Sequence, residues 1–98
     1  MQKQITSIYG YQQITDLSGA VGLTVPTTDI GGLVGSPVTA YIRCETQSVR
    51  WRDDGVAPSA TVGFPLSPGD MLAYDGDLKR IKFIEQAASA KLNVVYYT

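Results

Sequence analysis

Histidine is absent from this chain of 98 residues, and cysteine occurs once. Because histidine is the commonest general base and a preferred metal ligand, its absence excludes Ser-His-Asp and Cys-His catalysis and a zinc site built from the usual ligands. The single cysteine, Cys44, cannot form an intramolecular disulfide, and we expect its thiol to be buried. We therefore expect a protein that is not an enzyme and that holds no cofactor and no metal.

Charged residues and long apolar runs are also scarce. Charged residues make up 17% of the chain, and eight basic residues against nine acidic ones give a net charge of -1. Binding to a nucleic acid backbone needs a concentrated positive surface, which this sequence lacks. The start of the chain has no apolar core of a signal peptide, and no apolar run is long enough to span a bilayer. We expect a soluble protein made in a cytoplasm, with neither nucleic acid nor membrane as a partner.

What the sequence does contain is typical of β-structure. A chain of this length forms one domain, so residues 1–98 are expected to share one core. Short runs rich in Val, Thr, Ile and Tyr alternate with Gly, Pro and Asp turns at intervals of roughly 8 to 12 residues, as in sandwiches and small barrels. The sequence therefore predicts an all-β, single-domain antiparallel β-sandwich, either jelly-roll-like or a small barrel.

The clearest predicted pair of strands is residues 38–44 and 49–52. Each run alternates apolar and polar side chains, and a tight connection through residues 45–48 would join them as a hairpin. Pairing Glu45 with Ser48 places all the apolar residues on one face. The same register sets Arg43 opposite Arg50 and Tyr41 opposite Arg52 on the other face, where Asp53, Asp54 or a neighbouring subunit would neutralise the like charges.

Further strands and turns are predicted from period and turn chemistry. Ser67-Pro68-Gly69-Asp70 is typical of a type II turn, with Gly69 at positive φ. The segment from residue 26 to residue 32 is predicted to be a surface loop. The predicted strands are residues 5–14, 19–25, 60–62 as at most a short strand, 71–74, 78–85 and 90–97, with residues 87–89 as the hairpin loop between the last two.

Two groups of residues are candidates for contact with a partner. Arginine is enriched at interfaces, and a tyrosine that lies on a polar strand face can anchor a contact. The alternative is a solvated strand face, which contributes little. Residues 1–14 are either an edge strand of the domain or an arm that pairs with a neighbour by strand addition. The interface candidates are Tyr41, Arg43, Arg50, Arg52, Asp53 and Asp54.

Acidic pairs and the single tryptophan allow other interpretations. Asp53 with Asp54, or Asp75 with Asp77, could serve a glycosidase or hold calcium, but Asp beside Gly in a short loop is ordinary turn chemistry, which we favour. Trp51 could stack on a sugar ring, but its parity with Ile42 favours a place in the core.

A resemblance covers most of the chain. Residues 49–63 read VRWRDDGVAPSATVG, and they are followed by Pro68-Gly69-Asp70 and by LNVVYY at residues 92–97. These segments resemble a family of small proteins encoded among the virion structural genes of tailed bacteriophages and prophages. The similarity runs from about residue 11 to the end and is weakest across residues 27–37. It implies a β-sandwich on the particle exterior, such as a capsid cement or decoration protein, and it supplies no catalytic residues.

We therefore expect a capsid cement or decoration protein on the virion surface, synthesised in the cytoplasm of a bacterial host. Its expected partners are the major capsid protein and further copies of itself, in a symmetric oligomer that we take to be a trimer. The alternative function is a carbohydrate-binding or adhesion module of a tail fibre or baseplate, in which exposed tyrosines and loop carboxylates hold a sugar. A small hydrolase is the third and least favoured hypothesis.

Overall fold

The protein is an all-β sandwich without α-helices in the residues that its computed structural model describes, 8–27 and 37–97. Two four-stranded antiparallel sheets pack face to face, which confirms the predicted fold class. The eight strands are β1 (Ile8–Ile14), β2 (Val21–Gly22), β3 (Thr39–Glu45), β4 (Val49–Arg52), β5 (Phe64–Leu66), β6 (Met71–Tyr74), β7 (Lys82–Glu85) and β8 (Lys91–Tyr97).

One sheet, which we call the long-strand sheet, has the order β1-β8-β3-β6. Three of its four strands are seven residues long. The strict alternation of β8 explains its central place, because Leu92, Val94 and Tyr96 are fully buried while the intervening side chains face outward. β3 follows the same pattern, with Ala40, Ile42 and Cys44 turned inward. The parity predicted for residues 38–44 is confirmed at Ala40, Ile42 and Cys44, but Val38, expected on the same inward face, is 58% exposed just before β3.

The other sheet, the short-strand sheet, has the order β2-β7-β4-β5. Its strands have two to four residues, and its inward side chains Val49, Leu66 and Phe83 meet those of the long-strand sheet in one core. Ile81, just before β7, is also fully buried, two residues from the buried Phe83. The sandwich therefore closes over a single apolar layer to which both sheets contribute.

The predicted hairpin between residues 38–44 and 49–52 is wrong. β3 pairs with β6 and β8, whereas β4 pairs with β5 and β7 in the opposite sheet. The apolar face of each run does point to the core, but a sandwich satisfies that condition equally well when the two runs face each other across it. Arg43 therefore does not oppose Arg50, and Tyr41 does not oppose Arg52.

The predicted hairpin through residues 87–89 is wrong for the same reason, since β7 and β8 lie in different sheets. The connection from β3 to β4 and the connection from β7 to β8 both cross between the sheets, and they lie next to each other. The Thr46 hydroxyl donates a hydrogen bond to the Ser89 carbonyl oxygen, and the Gln86 N–H donates to the Ser48 carbonyl at 2.9 Å. Thr46 and Ser89 both adopt positive φ, of 69° and 74°, so each connection turns sharply.

The turn at residues 67–70 is confirmed, since Gly69 has φ of 90° and the Asp70 N–H donates to the Ser67 carbonyl at 2.9 Å. It also crosses between the sheets, from β5 to β6. Residues 60–62 form no strand, because Ser59 and Val62 instead close a turn on each other.

Strand formation in the first half agrees in part with expectation. Residues 8–14 form β1, which pairs with β8 and with no other described strand, and this edge position agrees with the edge-strand alternative for that stretch. Within residues 19–25 only Val21–Gly22 is a strand. The arm hypothesis for residues 1–7 and most of the loop predicted at residues 26–32 lie outside the described residues.

Candidate functional site

The six interface candidates do not form one cluster. Tyr41 and Arg43 lie on the outer face of the long-strand sheet, on β3. Arg50 and Arg52 belong to β4 in the other sheet, and the two carboxylates follow directly after it. The division follows from the chain crossing between the sheets at residues 46–48. The predicted stack of three arginines therefore does not exist.

Arg50 is a tether for the loop that joins β4 to β5. Its Nε donates to the Ala60 carbonyl at 3.2 Å, and its Nη1 donates to the Gly63 carbonyl at 2.8 Å. Gly63 has φ of 142°, and a Cβ there would lie 3.0 Å from the Cβ of Arg50. The guanidinium is thus occupied within the molecule and is not offered to a partner.

Arg52 and Asp54 form a bidentate ion pair at the end of β4. Nε donates to Oδ1 at 3.0 Å and Nη2 to Oδ2 at 2.5 Å. The hydrogen bonds from the guanidinium hold the pKa of Asp54 at about 2, below its ordinary 3.8, and the same bonds raise the pKa of Arg52. The pair is exposed, so it orients the two side chains more than it stabilises the fold.

Asp53 connects the two sheets. Its Oδ2 accepts a hydrogen bond of 2.7 Å from the Tyr74 hydroxyl, and Tyr74 belongs to the edge strand β6. Burial, and then the bond to Asp53, raise the pKa of Tyr74 to about 12, so the phenol remains a neutral donor. Gly55 follows at φ of 86°, and the Arg80 guanidinium lies 2.7 Å from where a Cβ would stand. The Arg-Asp-Asp-Gly run is therefore a structural corner, consistent with the turn interpretation of Asp53 and Asp54.

The outer face of the long-strand sheet carries a broad apolar surface, which we call the tyrosine face. The strand registers place Tyr11, Val95, Tyr41 and Ala73 side by side across all four strands. The Tyr41 and Tyr97 rings meet edge to face at 5.3 Å between centroids. Tyr11 is 59% exposed, Tyr41 41% and Met71 52%. The tyrosine face consists of Tyr11, Tyr41, Met71, Ala73, Val95 and Tyr97.

Polar groups border the tyrosine face and orient part of it. Tyr11 donates from its hydroxyl to Oδ1 of Asn93 at 2.6 Å, and Gln13 Nε2 donates to the same oxygen at 3.1 Å. The Asn93 amide in turn donates to the Glu45 carboxylate. Arg43 lies between Asn93 and Met71 in register and makes no ion pair with the described residues. The outer face of the sheet thus combines a fixed aromatic surface with Arg43, and the register partners Glu45 and Lys91 lie at one end of it.

A shallow cleft lies at the end of β4, on the short-strand sheet. Its volume is about 360 Å³. Trp51 and Phe64 are register neighbours whose rings lie 5.4 Å apart at 33°, and Trp51 meets Tyr74 edge to face at 6.1 Å. Trp51 packs against the core, as its parity predicted, but it also lines this cleft. The lining residues are Trp51, Arg52, Asp53, Asp54, Val62, Gly63 and Phe64.

Several members of these two surfaces were not found by sequence reasoning. Tyr11, Val95 and Tyr97 each have outward parity, but only the strand order β1-β8-β3-β6 places them beside Tyr41. Phe64 lies in a three-residue strand, too short to show a period. The available signal was the run of outward apolar residues on β8.

The described residues contain neither a candidate metal site nor a membrane-spanning helix. Across residues 8–27 and 37–97, no group of three or more His, Cys, Asp or Glu side chains is placed to hold a metal ion. The same stretches contain no helix suited to crossing a bilayer. Asp77 accepts a hydrogen bond of 3.0 Å from the Lys79 N–H, which is ordinary turn chemistry.

Comparisons with known proteins leave the family of this chain open. No protein-family model matches it, and searches of curated proteins and of solved structures found no significant similarity. The functional proposals therefore depend on the two surfaces and on the resemblance carried by residues 49–63 and 92–97.

Proposed function

We propose that this protein is a non-catalytic capsid cement or decoration protein of a tailed bacteriophage, which docks on the shell through the tyrosine face. The observation that carries the proposal is the exposure of Tyr11, Tyr41 and Met71 on the outer face of one sheet. Contiguous exposed apolar patches are typical of contact surfaces, and tyrosine and methionine are enriched at interfaces. The resemblance of the Arg-Asp-Asp-Gly run and the C-terminal strand to phage virion proteins supplies the particle as the setting.

The size of the tyrosine face supports a role in an array. Four strands lie about 4.8 Å apart, three of seven residues and β6 of four, and at roughly 3.3 Å per residue they give a face of about 400 Å². A stable pairwise interface buries about 800 Å² on each partner. One contact of this size is therefore weak, whereas many copies on a lattice, or a symmetric oligomer such as a trimer, combine weak contacts into a strong one.

The mechanism of the proposed cement is mechanical. Each bound copy bridges neighbouring capsomers and lowers the free energy of the assembled shell relative to its separated subunits. Arg43, beside Met71 and without an ion pair among the described residues, would meet a carboxylate of the capsid protein. Neither step requires a reactive pocket, a cofactor or a metal.

Reconstitution on heads that lack the protein tests this proposal. Purified wild-type protein is expected to bind such heads and to raise the temperature at which they release DNA. The Y41E variant is expected to lose binding, because it places a charge in the middle of the tyrosine face. V56E is the matched control, since Val56 is also exposed but lies in the loop after β4. Equal binding by wild type and Y41E, or no binding by wild type, would overturn the proposal.

The second candidate function, a carbohydrate-binding or adhesion module, requires a different set of residues from the set that the sequence predicted. The exposed tyrosines and the loop carboxylates that it combined lie on different surfaces, the tyrosine face and the cleft. The observation that favours this function is instead the aromatic pair Trp51 and Phe64 beside Asp53 and Asp54.

A further inference from the structure

We propose that the cleft lined by Trp51 and Phe64 is a binding site for one uncharged sugar ring of a glycan. The inference deepens the second candidate function and does not depend on capsid docking, because the cleft and the tyrosine face share no residue. A copy that is docked through the tyrosine face could therefore hold a glycan at the same time.

The apolar part of the cleft fits the C–H face of a pyranose. Phe64 is 65% exposed although its ring packs on Trp51, and Val62, 52% exposed, adds to the same wall. An aromatic side chain held open to solvent on a packed partner is a preformed platform, because little rotamer freedom is lost when a flat ligand covers it. The cleft volume of about 360 Å³ is at the small end of ligand sites and suits one ring rather than a long chain.

The polar part of the cleft offers both kinds of hydrogen-bonding group that sugar hydroxyls need. Asp53 and Asp54 supply acceptor oxygens, and Arg52 supplies guanidinium donors. These side chains are already oriented, because Asp53 accepts from Tyr74 and Asp54 is bidentate with Arg52. Preorganised charged groups make the stronger hydrogen bonds to neutral hydroxyls.

The charge balance selects a neutral ligand over a charged one. Arg52 is bidentate with Asp54, Asp53 accepts from the Tyr74 hydroxyl, and the Arg80 guanidinium lies against Gly55, the residue that follows the two carboxylates. The cleft lining therefore carries one negative charge beyond the Arg52–Asp54 pair, which repels an anionic polymer and is too little to select a basic peptide. A polyol with an apolar face matches both the aromatic part of the cleft and its hydrogen-bonding side chains.

The single tryptophan of the chain makes the test site-specific, since its fluorescence reports on this cleft alone. Maltoheptaose, cellohexaose and hexa-N-acetylchitohexaose, titrated to about 10 mM, present uncharged pyranose rings that differ in anomeric linkage and in the substituent at C2. We expect at least one of them to shift the Trp51 emission saturably. Phe64→Ala is expected to weaken that binding by at least about tenfold, because the stacking platform is lost while Trp51 remains as reporter. Asp53→Asn is expected to weaken it as well.

Tyr11→Ala is the matched control, because it removes an exposed aromatic side chain from the tyrosine face. Circular dichroism of each variant shows whether the fold is retained. Saccharide binding that Phe64→Ala reduces and Tyr11→Ala leaves unchanged supports the proposal. The proposal is overturned if none of the three saccharides shifts the emission, or if the folded F64A variant binds as wild type does. N-acetylarginine amide is titrated as a cationic comparison. If only this compound binds, the cleft is a site for a cationic side chain and the proposal is also overturned. None of these outcomes bears on binding to heads, so the two proposals fail separately.

Discussion

The long-strand sheet and the short-strand sheet reach the same layered architecture by different means. In the first, seven-residue strands alternate strictly, and the burial of Leu92, Val94 and Tyr96 determines which face points to the core. In the second, strands of two to four residues are positioned by specific contacts, such as the Arg50 tether to Ala60 and Gly63. Period therefore specifies one sheet, and individual polar contacts and glycines specify the other.

The largest expected effect comes from breaking the core at the centre of the long-strand sheet. Leu92→Ala removes a fully buried side chain of β8 and leaves a cavity, so we expect a loss of about 2 to 5 kcal/mol in the free energy of unfolding. Denaturant unfolding followed by circular dichroism measures it. Lys91→Ala, the next residue on the outer face, is the control and should leave the midpoint nearly unchanged. Equal losses in both variants would contradict the alternation on which this sheet depends.

The second prediction concerns the loop contacts of the short-strand sheet. Arg50→Lys keeps the charge but loses the fork that reaches two carbonyls, so a loss of about 1 to 2 kcal/mol is expected. Cleavage by a protease within residues 56–63 should also become faster. Arg43→Lys is the control, because it makes the same chemical change beside the tyrosine face, where no such tether exists. Similar stability and protease sensitivity for R50K and wild type would show that the loop does not depend on this guanidinium.

The backbone of the same loop gives a third, smaller effect. Gly63→Ala places a Cβ at φ of 142° and within 3.2 Å of Pro58 and the Trp51 carbonyl, so a cost of about 1 kcal/mol is expected. At Gly19 a Cβ meets nothing within 4 Å, and Gly19→Ala is expected to be neutral or slightly stabilising. Thermal unfolding compares the two variants, and a G63A midpoint at or above that of G19A would be the opposite of this expectation.

The smallest effect is that of the exposed Arg52–Asp54 pair. The folded pKa of Asp54 is depressed to about 2, so its contribution to stability is present above the ordinary value of 3.8 and is lost as the pH falls from there through 2. Asp54→Asn should therefore be slightly less stable than wild type at pH 7, and the difference should disappear as the pH falls from 3.8 through 2. Salt should reduce the difference, because the pair is exposed. A wild-type profile that is already identical to D54N from pH 4 to 2 would show that the pair contributes nothing.

The sequence predicts the two sheets unequally well, for a physical reason. Alternation identifies the inward side chains of β3 and β8 correctly, and the turn residues around Gly69 identify the turn between β5 and β6. Alternation does not predict which strands are neighbours. Two strands that pair within one sheet and two strands that face each other across the core have the same pattern of inward side chains. The hairpin between β3 and β4 was wrong on that account, and the predicted arginine cluster was wrong with it.

The two candidate surfaces differ in the same way. Tyr41 was identified from its parity, whereas the rest of the tyrosine face required the strand order. The cleft depends on Phe64, which lies in a strand too short to carry a period, and on a corner at Asp53 and Asp54 whose contacts come from other strands. The pairing of strands that are far apart in the chain is the feature that is hardest to predict from a single sequence.

The central claim is the proposed docking of this chain on a phage capsid, and a reconstruction of the virion tests it most directly, because it reports both the location and the orientation of the chain. The account predicts copies at regular positions on the capsid exterior, with Tyr11, Tyr41 and Met71 turned toward the shell and the cleft at Phe64 turned outward. A particle without this chain, or copies whose tyrosine face is open to solvent, would contradict it.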